Sequence, residues 1–283
     1  MGYLVRENGR AAVLVDFGSG TSLNFERAGA KIEDLQAVLL SQFHVDHVND
    51  FPALVKGAFF TGRSRDLPVY GPSGNHIVPS LPQYLSRLIG SKGAYSYLSG
   101  FLDGSESFRL KPVTVAVDAS HPKVFAAAEG GFRISAVPVT HSIIPALGWR
   151  VEKDGCAMVF SSGTSNMGRT LDKITAGADL FVAHNAIPEG STDRIALKLH
   201  MMPSEIVPHR RRRQRKKRGA VALYEPHRKR DERNRRRHRQ PLQRQAGVCA
   251  GLRYLRRTQR RKNRKLRPLT AAAKGRLKNF QAA

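Results

Sequence analysis

The sequence predicts a mixed α/β domain over residues 1–208, a four-layer αββα sandwich in which helices cover the outer faces of two facing sheets, and an Arg/Lys-rich tail over 209–283. Three observations lead there. Short β-branched and apolar runs alternate with amphipathic segments along the first part of the chain. One such run, Ala37-Val-Leu-Leu40, ends in a tight group of histidine and aspartate. The charge is also unevenly placed. Of 48 Lys+Arg and 22 Asp+Glu, 29 basic and three acidic residues (Glu225, Asp231, Glu232) lie from His209 onward, which leaves 19 of each before it.

Strands are expected at Tyr3–Arg6, Ala11–Asp16, Ala37–Ser41 and Leu67–Tyr70, where β-branched apolar runs end in turn residues. Helices are expected between them at Ser22–Ala28, Phe51–Phe60 and His76–Ile89, the last stopped by Gly90-Ser-Lys-Gly93. The second half reads mainly as strands: Phe108–Leu110, Lys123–Ala127, Phe132–Pro138, Gly148–Glu152, Ala157–Ser161 and Leu180–His184. Helices are expected at Met167–Thr175 and from Pro203 onward.

Composition excludes several classes. The pI near 11 describes the tail, because the first 208 residues are neutral, so it says nothing about the folded domain. Two cysteines, Cys156 and Cys249, allow neither a disulfide framework nor a cysteine-based zinc site. No run reaches the about 18 apolar residues of a membrane span. The N-terminus lacks the charged-then-apolar layout of a signal peptide. A cytoplasmic location is the expectation.

The chemistry concentrates at Ser41-Gln-Phe-His-Val-Asp-His47. His44, Asp46 and His47 follow a buried strand, whose end can aim alternate side chains at one point while the next turn brings in a third. Imidazole nitrogen with one carboxylate is a ligand set that zinc accepts.

This segment resembles the HxHxDH signature of the metallo-β-lactamase fold, with Gln42 at the place of the first histidine. Asp16-Phe-Gly-Ser-Gly20 resembles the early strand of that family and its glycine turn. Thr140-His141 with Pro145-Ala-Leu-Gly-Trp-Arg150 resembles the third metal histidine and the next strand in the branch that holds ribonuclease Z and related phosphodiesterases. Phe160-Ser-Ser-Gly-Thr164 resembles the Ser-Gly-Asp-Thr turn, but with Gly163 where the aspartate should be. Ala178–His184 and Leu199-His200-Met-Met-Pro-Ser204 resemble the following strand and loop. The likeness runs from Gly2 to Ile206. On it, Met1–Val5 is the second strand of the family fold, so the first strand is missing or the start lies too far downstream.

The resemblance implies a site with two zinc ions, or manganese in their place, that lower the pKa of a bridging water. Position 42, His44 and His141 would hold the first ion. Asp46, His47, a bridging aspartate at position 163 and a late histidine would hold the second, and Asp46 would also orient the attacking water. His200 either donates a proton to the leaving group or caps the helix entering at Pro203. His184 takes a structural role behind the ligands. With Gln42 and Gly163 at two positions and no strand after the His200 helix, four ligands remain, His44, Asp46, His47 and His141. They would hold at most one ion, loosely. The implied activity is hydrolysis of a phosphodiester or other small ester, impaired or absent in this copy, and a homodimer is the assembly the resemblance allows.

The tail has two readings, of which the first accounts for the missing strand. Arginine codons CGC read one base later give GCC, alanine. With ordinary codons, 210–226 can be read in that frame as an amphipathic helix end and a strand closing in Leu-Ser-His. That points to a frameshift near Val207. At face value, the same 29 basic residues make a disordered segment that binds nucleic acid or anionic membrane non-specifically.

Overall fold

The computed structural model describes residues 1–118 and 120–206, and the backbone of 220–224 and 252–255. The tail between and beyond those strands, with the basic run 209–218 and the proposed nucleic-acid contacts, lies outside the described residues.

The first sheet begins with a hairpin, β1 (Tyr3–Glu7) and β2 (Arg10–Val15), and continues through β3 (Ala37–Leu39), β4 (Leu67–Pro72) and β5 (Leu110–Val115) as parallel neighbours. The second sheet is an antiparallel meander, β6 (Phe125–Glu129), β7 (Phe132–Val139), β8 (Ala146–Lys153) and β9 (Cys156–Gly163). It is extended by β10 (Leu180–His184), which runs parallel to β9.

Strand alternation divides the apolar residues into three cores. Val13, Val15 and Leu39 point inward and meet Ile134, Trp149, Met158 and Val182 of the second sheet. Leu14 and Val38 point outward, against α1 (Thr21–Arg27), α3 (Phe51–Ala58) and α4 (Leu81–Ile89), through Phe25, Phe51, Leu54, Leu81 and Leu85. On the far side Val137, Val159 and Phe181 pack against Leu171 and Ile174 of the short α6 (Asp172–Thr175) and against Met201 and Ile206. Three cores between four layers make the αββα sandwich. The loops that carry the motifs gather at one end of it.

The sequence misplaces some boundaries. The helix expected from His76 begins at Leu81. Asn75 Oδ1 accepts from the backbone N–H groups of Ile77 and Val78 in a closed turn, and Ser80 with Gln83 forms a capping box. The helix expected at Met167–Thr175 is reduced to α6. The strand expected at Phe108–Leu110 begins at Leu110 and runs to Val115. Three short helices were not foreseen: α2 (Val45–Val48), α5 (Gly100–Asp103) and α7 (Arg194–Leu199). The last had a readable signal, since Asp193 caps it through Ile195 N and Ala196 N at 3.0 and 3.1 Å. Cys156 is disulfide-bonded, and with two cysteines in the chain one bridge is the most that can form.

The largest departure lies at the sheet edges, which the sequence reading leaves without partners. Residues 220–224 form β11, parallel to β10, with Tyr224 opposite His184. Residues 252–255 form β12, antiparallel to β1. Unpaired N–H and C=O groups on an edge strand favour pairing with any segment of suitable backbone. Ala220-Val-Ala-Leu-Tyr224 and Leu252-Arg-Tyr-Leu255 are short apolar-rich stretches within the basic tail.

Candidate functional site

Two loops are fastened together at the carboxyl ends of β2 and β3. Asp16 closes β2 in a left-handed conformation (φ 57°), and its buried carboxylate faces the next loop. Oδ1 accepts from Ser41 N at 2.7 Å and Oδ2 from His47 Nδ1 at 2.8 Å. Phe17 N donates to His47 O at 2.6 Å, and Asp50 N to Phe17 O at 3.0 Å. Gly18 is required here for space: a Cβ on it would sit 1.6 Å from the carbonyl oxygen of Asp46.

His47 is buried, and both its ring nitrogens are engaged. Since Nδ1–H donates to Asp16, Nε2 carries the lone pair, and that lone pair accepts from Gln42 Nε2 at 2.9 Å. The same Nε2 lies 3.6 Å from Asp46 Oδ2, whose side chain is largely exposed. Gln42 is also buried, and its Oε1 has no hydrogen-bond partner.

A second pair forms across the sheets. His141 Nδ1 donates to Leu199 O at 3.0 Å, which turns Nε2 toward His44 Nδ1, 3.3 Å away. Ser142 N also donates to Lys198 O at 3.0 Å, so the end of α7 holds the His141 loop in place. The turn after β9 is tied to the same loop, with Thr164 Oγ1 and Ser165 N both donating to Thr140 O at 2.9 Å.

His200 and His184 complete a ring of imidazoles. Their centroids are 5.2 Å apart, with His200 5.8 Å from His141 and His184 5.6 Å from His47. His200 ends α7 and donates its backbone N–H to Ala196 O, so it belongs to that helix rather than capping the one at Pro203. Its ring Nδ1 is buried without a partner. Burial lowers the pKa of His44, His200 and, well below the usual range, His184. It pushes His141 down to about 3, with His44 as the next contribution. Burial thus favours the neutral imidazole in all four.

The structure thus brings His44, Asp46, His47, His141, His184 and His200 to one end of the sandwich, with Gln42 and Gly163 among them. What it does not bring together is a complete ligand set for two zinc ions. His44 with His141, and His47 with Asp46, each converge as a pair, but among the described residues no three His, Cys, Asp or Glu side chains are placed to hold one ion. The donor set does not fit a two-ion centre: an amide N–H occupies the His47 lone pair, and no carboxylate stands at position 163. Sequence reasoning missed Asp16, which orients His47. Its one mark in the sequence is an acid at a strand end beside a glycine turn, which does not by itself set it apart from an ordinary turn residue.

The described helices include none long and apolar enough to cross a membrane. Residues 12–209 match the family model described as beta-lactamase superfamily domain. The chain is similar to proteins named Ribonuclease Z. The one from Mycobacterium bovis (strain BCG / Pasteur 1173P2) is 28% identical over 179 residues, covering 62% of this chain and 60% of the relative. The one from Mycobacterium sp. (strain KMS) is 30% identical over 188 residues, covering 65% and 61%. The chain therefore spans about three fifths of the length of these curated relatives. Two solved structures share the fold. The metallo-beta-lactamase fold protein YhfI from Bacillus subtilis has TM-score 0.54 and 18% identity, with 80% of this chain and 87% of that one covered. The short form of human tRNase Z has TM-score 0.54 and 16% identity, with 74% and 87% covered. Fold, loop placement and family match agree: the chain belongs to the beta-lactamase superfamily, with the metallo-β-lactamase fold.

Proposed function

We propose that this chain descends from a ribonuclease Z-like, metal-dependent phosphodiester hydrolase and that its own hydrolytic activity is low or absent. The observation that carries the reading is the incomplete pairing of the site. His44 Nδ1 and His141 Nε2 face each other at 3.3 Å, and Asp46 and His47 stand beside them, as a metal site of this family would need. Gln42 and Gly163 fill two of the three remaining positions without an imidazole or a carboxylate. Neutral amide oxygen is a weak substitute for imidazole at zinc.

Purified full-length chain assayed on bis-(p-nitrophenyl) phosphate with added zinc or manganese tests this. The expected result is turnover no greater than that of the Asp46→Ala variant. Clear turnover lost in Asp46→Ala overturns the loss of activity and keeps the hydrolase.

The frameshift near Val207 belongs to the same proposal, because it explains a basic segment following a domain of neutral balance. Sequencing the gene from the codon of His200 to the stop decides it: an alternative frame that encodes a strand ending in Leu-Ser-His supports it, and stop codons in that frame refute it. The competing role, a non-catalytic chain whose tail binds nucleic acid or anionic membrane, then becomes the leading one.

A further inference from the structure

We infer that Gln42 and Gly163 act together as a built-in replacement for the metal, closing the site as a hydrogen-bonded core that is stable without an ion. The inference rests on the ligand positions assigned above and concerns what now occupies them.

The geometry supplies the argument. In a metal site of this kind His47 Nε2 would give its lone pair to the ion. Here the chain Asp16–His47–Gln42 satisfies both ring nitrogens from within the protein, at 2.8 and 2.9 Å. The amide orientation follows from the tautomer: with the proton on Nδ1, only the NH₂ end of Gln42 can face Nε2.

Position 163 is coupled to this bridge. A Cβ there would lie 2.7 Å from His141 Cε1, 3.0 Å from His141 Nδ1 and 3.3 Å from Gln42 Nε2. The first contact is closer than a packed interior accepts and the second is tight, so a side chain here presses on the His141 ring, whose Nδ1 donates to Leu199 O. An aspartate at 163 therefore displaces the His141 ring and crowds the amide of Gln42 that bridges to His47. The two departures from the family pattern form one structural solution. Gln42→His alone removes the amide bridge and Gly163→Asp alone displaces His141, and neither completes a metal site.

Thermal unfolding of the full-length chain in EDTA and in excess zinc tests this, with wild type, Gln42→His, Gly163→Asp and the double variant compared. The wild type is expected to unfold at the same temperature in both buffers. Each single variant should be less stable than wild type in EDTA and gain little from zinc. The double variant should gain about 5–10 °C from zinc present in large excess over its dissociation constant. A zinc-dependent rise in the wild type overturns the inference, as does a zinc response in the double variant that is the simple sum of the single ones.

If the double variant fails to fold, the wild type still decides. Nitrogen NMR of the His47 ring should show the Nδ1–H tautomer unchanged on adding zinc, and a shift of the Nε2 signal would overturn the inference. Failure here is distinguishable from failure of the proposed function. A wild type that binds zinc but hydrolyses nothing defeats the replacement alone. One that is zinc-insensitive yet turns over ester in EDTA defeats the functional reading alone.

Discussion

The buried carboxylate of Asp16 receives His47 Nδ1 at 2.8 Å, across 31 residues of sequence, while its other oxygen receives Ser41 N at 2.7 Å. One side chain at the end of β2 thereby sets both the path of the strand that follows and the tautomer of a histidine in the site. A carboxylate behind an imidazole fixes ring orientation whatever the other nitrogen then binds. In this chain the other nitrogen meets Gln42.

Asp16→Ala should accordingly destabilise the domain by about 1.5–3 kcal/mol, the usual loss for hydrogen bonds to a charged group, because two buried donors lose their acceptor. Asp16→Asn should cost less, since an amide oxygen can still accept one of the two bonds. Urea unfolding of both variants checks this, and equal stabilities for Asp16→Ala and wild type would show that water replaces the carboxylate.

Gly18→Ala should be poorly tolerated. The new methyl would have to push the Asp46 carbonyl from 1.6 Å to beyond 3 Å, which moves the start of α2 away from β2. Overpacking of this kind costs about 1–3 kcal/mol or more. The expected reading is a lowered unfolding temperature, together with altered ring signals of His44 and His47.

Stability should fall in acid, and the sign follows from the histidines. His44, His141, His184 and His200 all have folded-state pKa values below the ordinary 6.5, His141 reaching about 3, with burial the main cause in each. Unfolded, they take up protons as the pH drops below 6.5; folded, they do so only at lower pH. Their contribution is fully present above that pH and is lost on the way down toward about 3. The groups around them are His47, Asp16, Asp46 and the Met1 ammonium. Denaturant midpoints at pH 7.5, 6 and 5 (chosen to bracket roughly the histidine range) should decline in that order. A midpoint independent of pH would mean that the cluster opens to solvent.

Removing residues 207–283 should leave the outer edges of β1 and β10 unpaired, since β12 and β11 come from that segment. The truncated chain is expected to lose stability and to self-associate through these edges. Static light scattering against the full-length chain gives the measure, and a stable, monodisperse truncated protein would show that the two strands contribute nothing.

Much of this architecture was legible because local pattern and tertiary need coincide. Ala37-Val-Leu alternates between two cores and reads as a strand in either context, and the cluster after it declares the site end of the sandwich. His44, Asp46, His47 and His141 were readable from residue type and motif. Asp16 was not, because an acid at a strand end looks like any turn residue until its partner 31 positions away is known. The sequence leaves the placement of His200 open for a similar reason: α7 is too short to show a period, and only its Asp193 cap announces it. Strands β11 and β12 were invisible because edge demand, rather than intrinsic preference, draws them into the sheets. The relation between Gln42 and Gly163 was beyond the sequence as well, since it depends on a clearance of a few tenths of an ångström.

The account turns on whether the site still takes metal. Calorimetric titration of zinc into the full-length, EDTA-stripped chain measures that directly. Substoichiometric or undetectable binding is the predicted result. A pair of ions bound tightly per chain would contradict it, and would mean that Gln42 and Gly163 rearrange to admit a working centre.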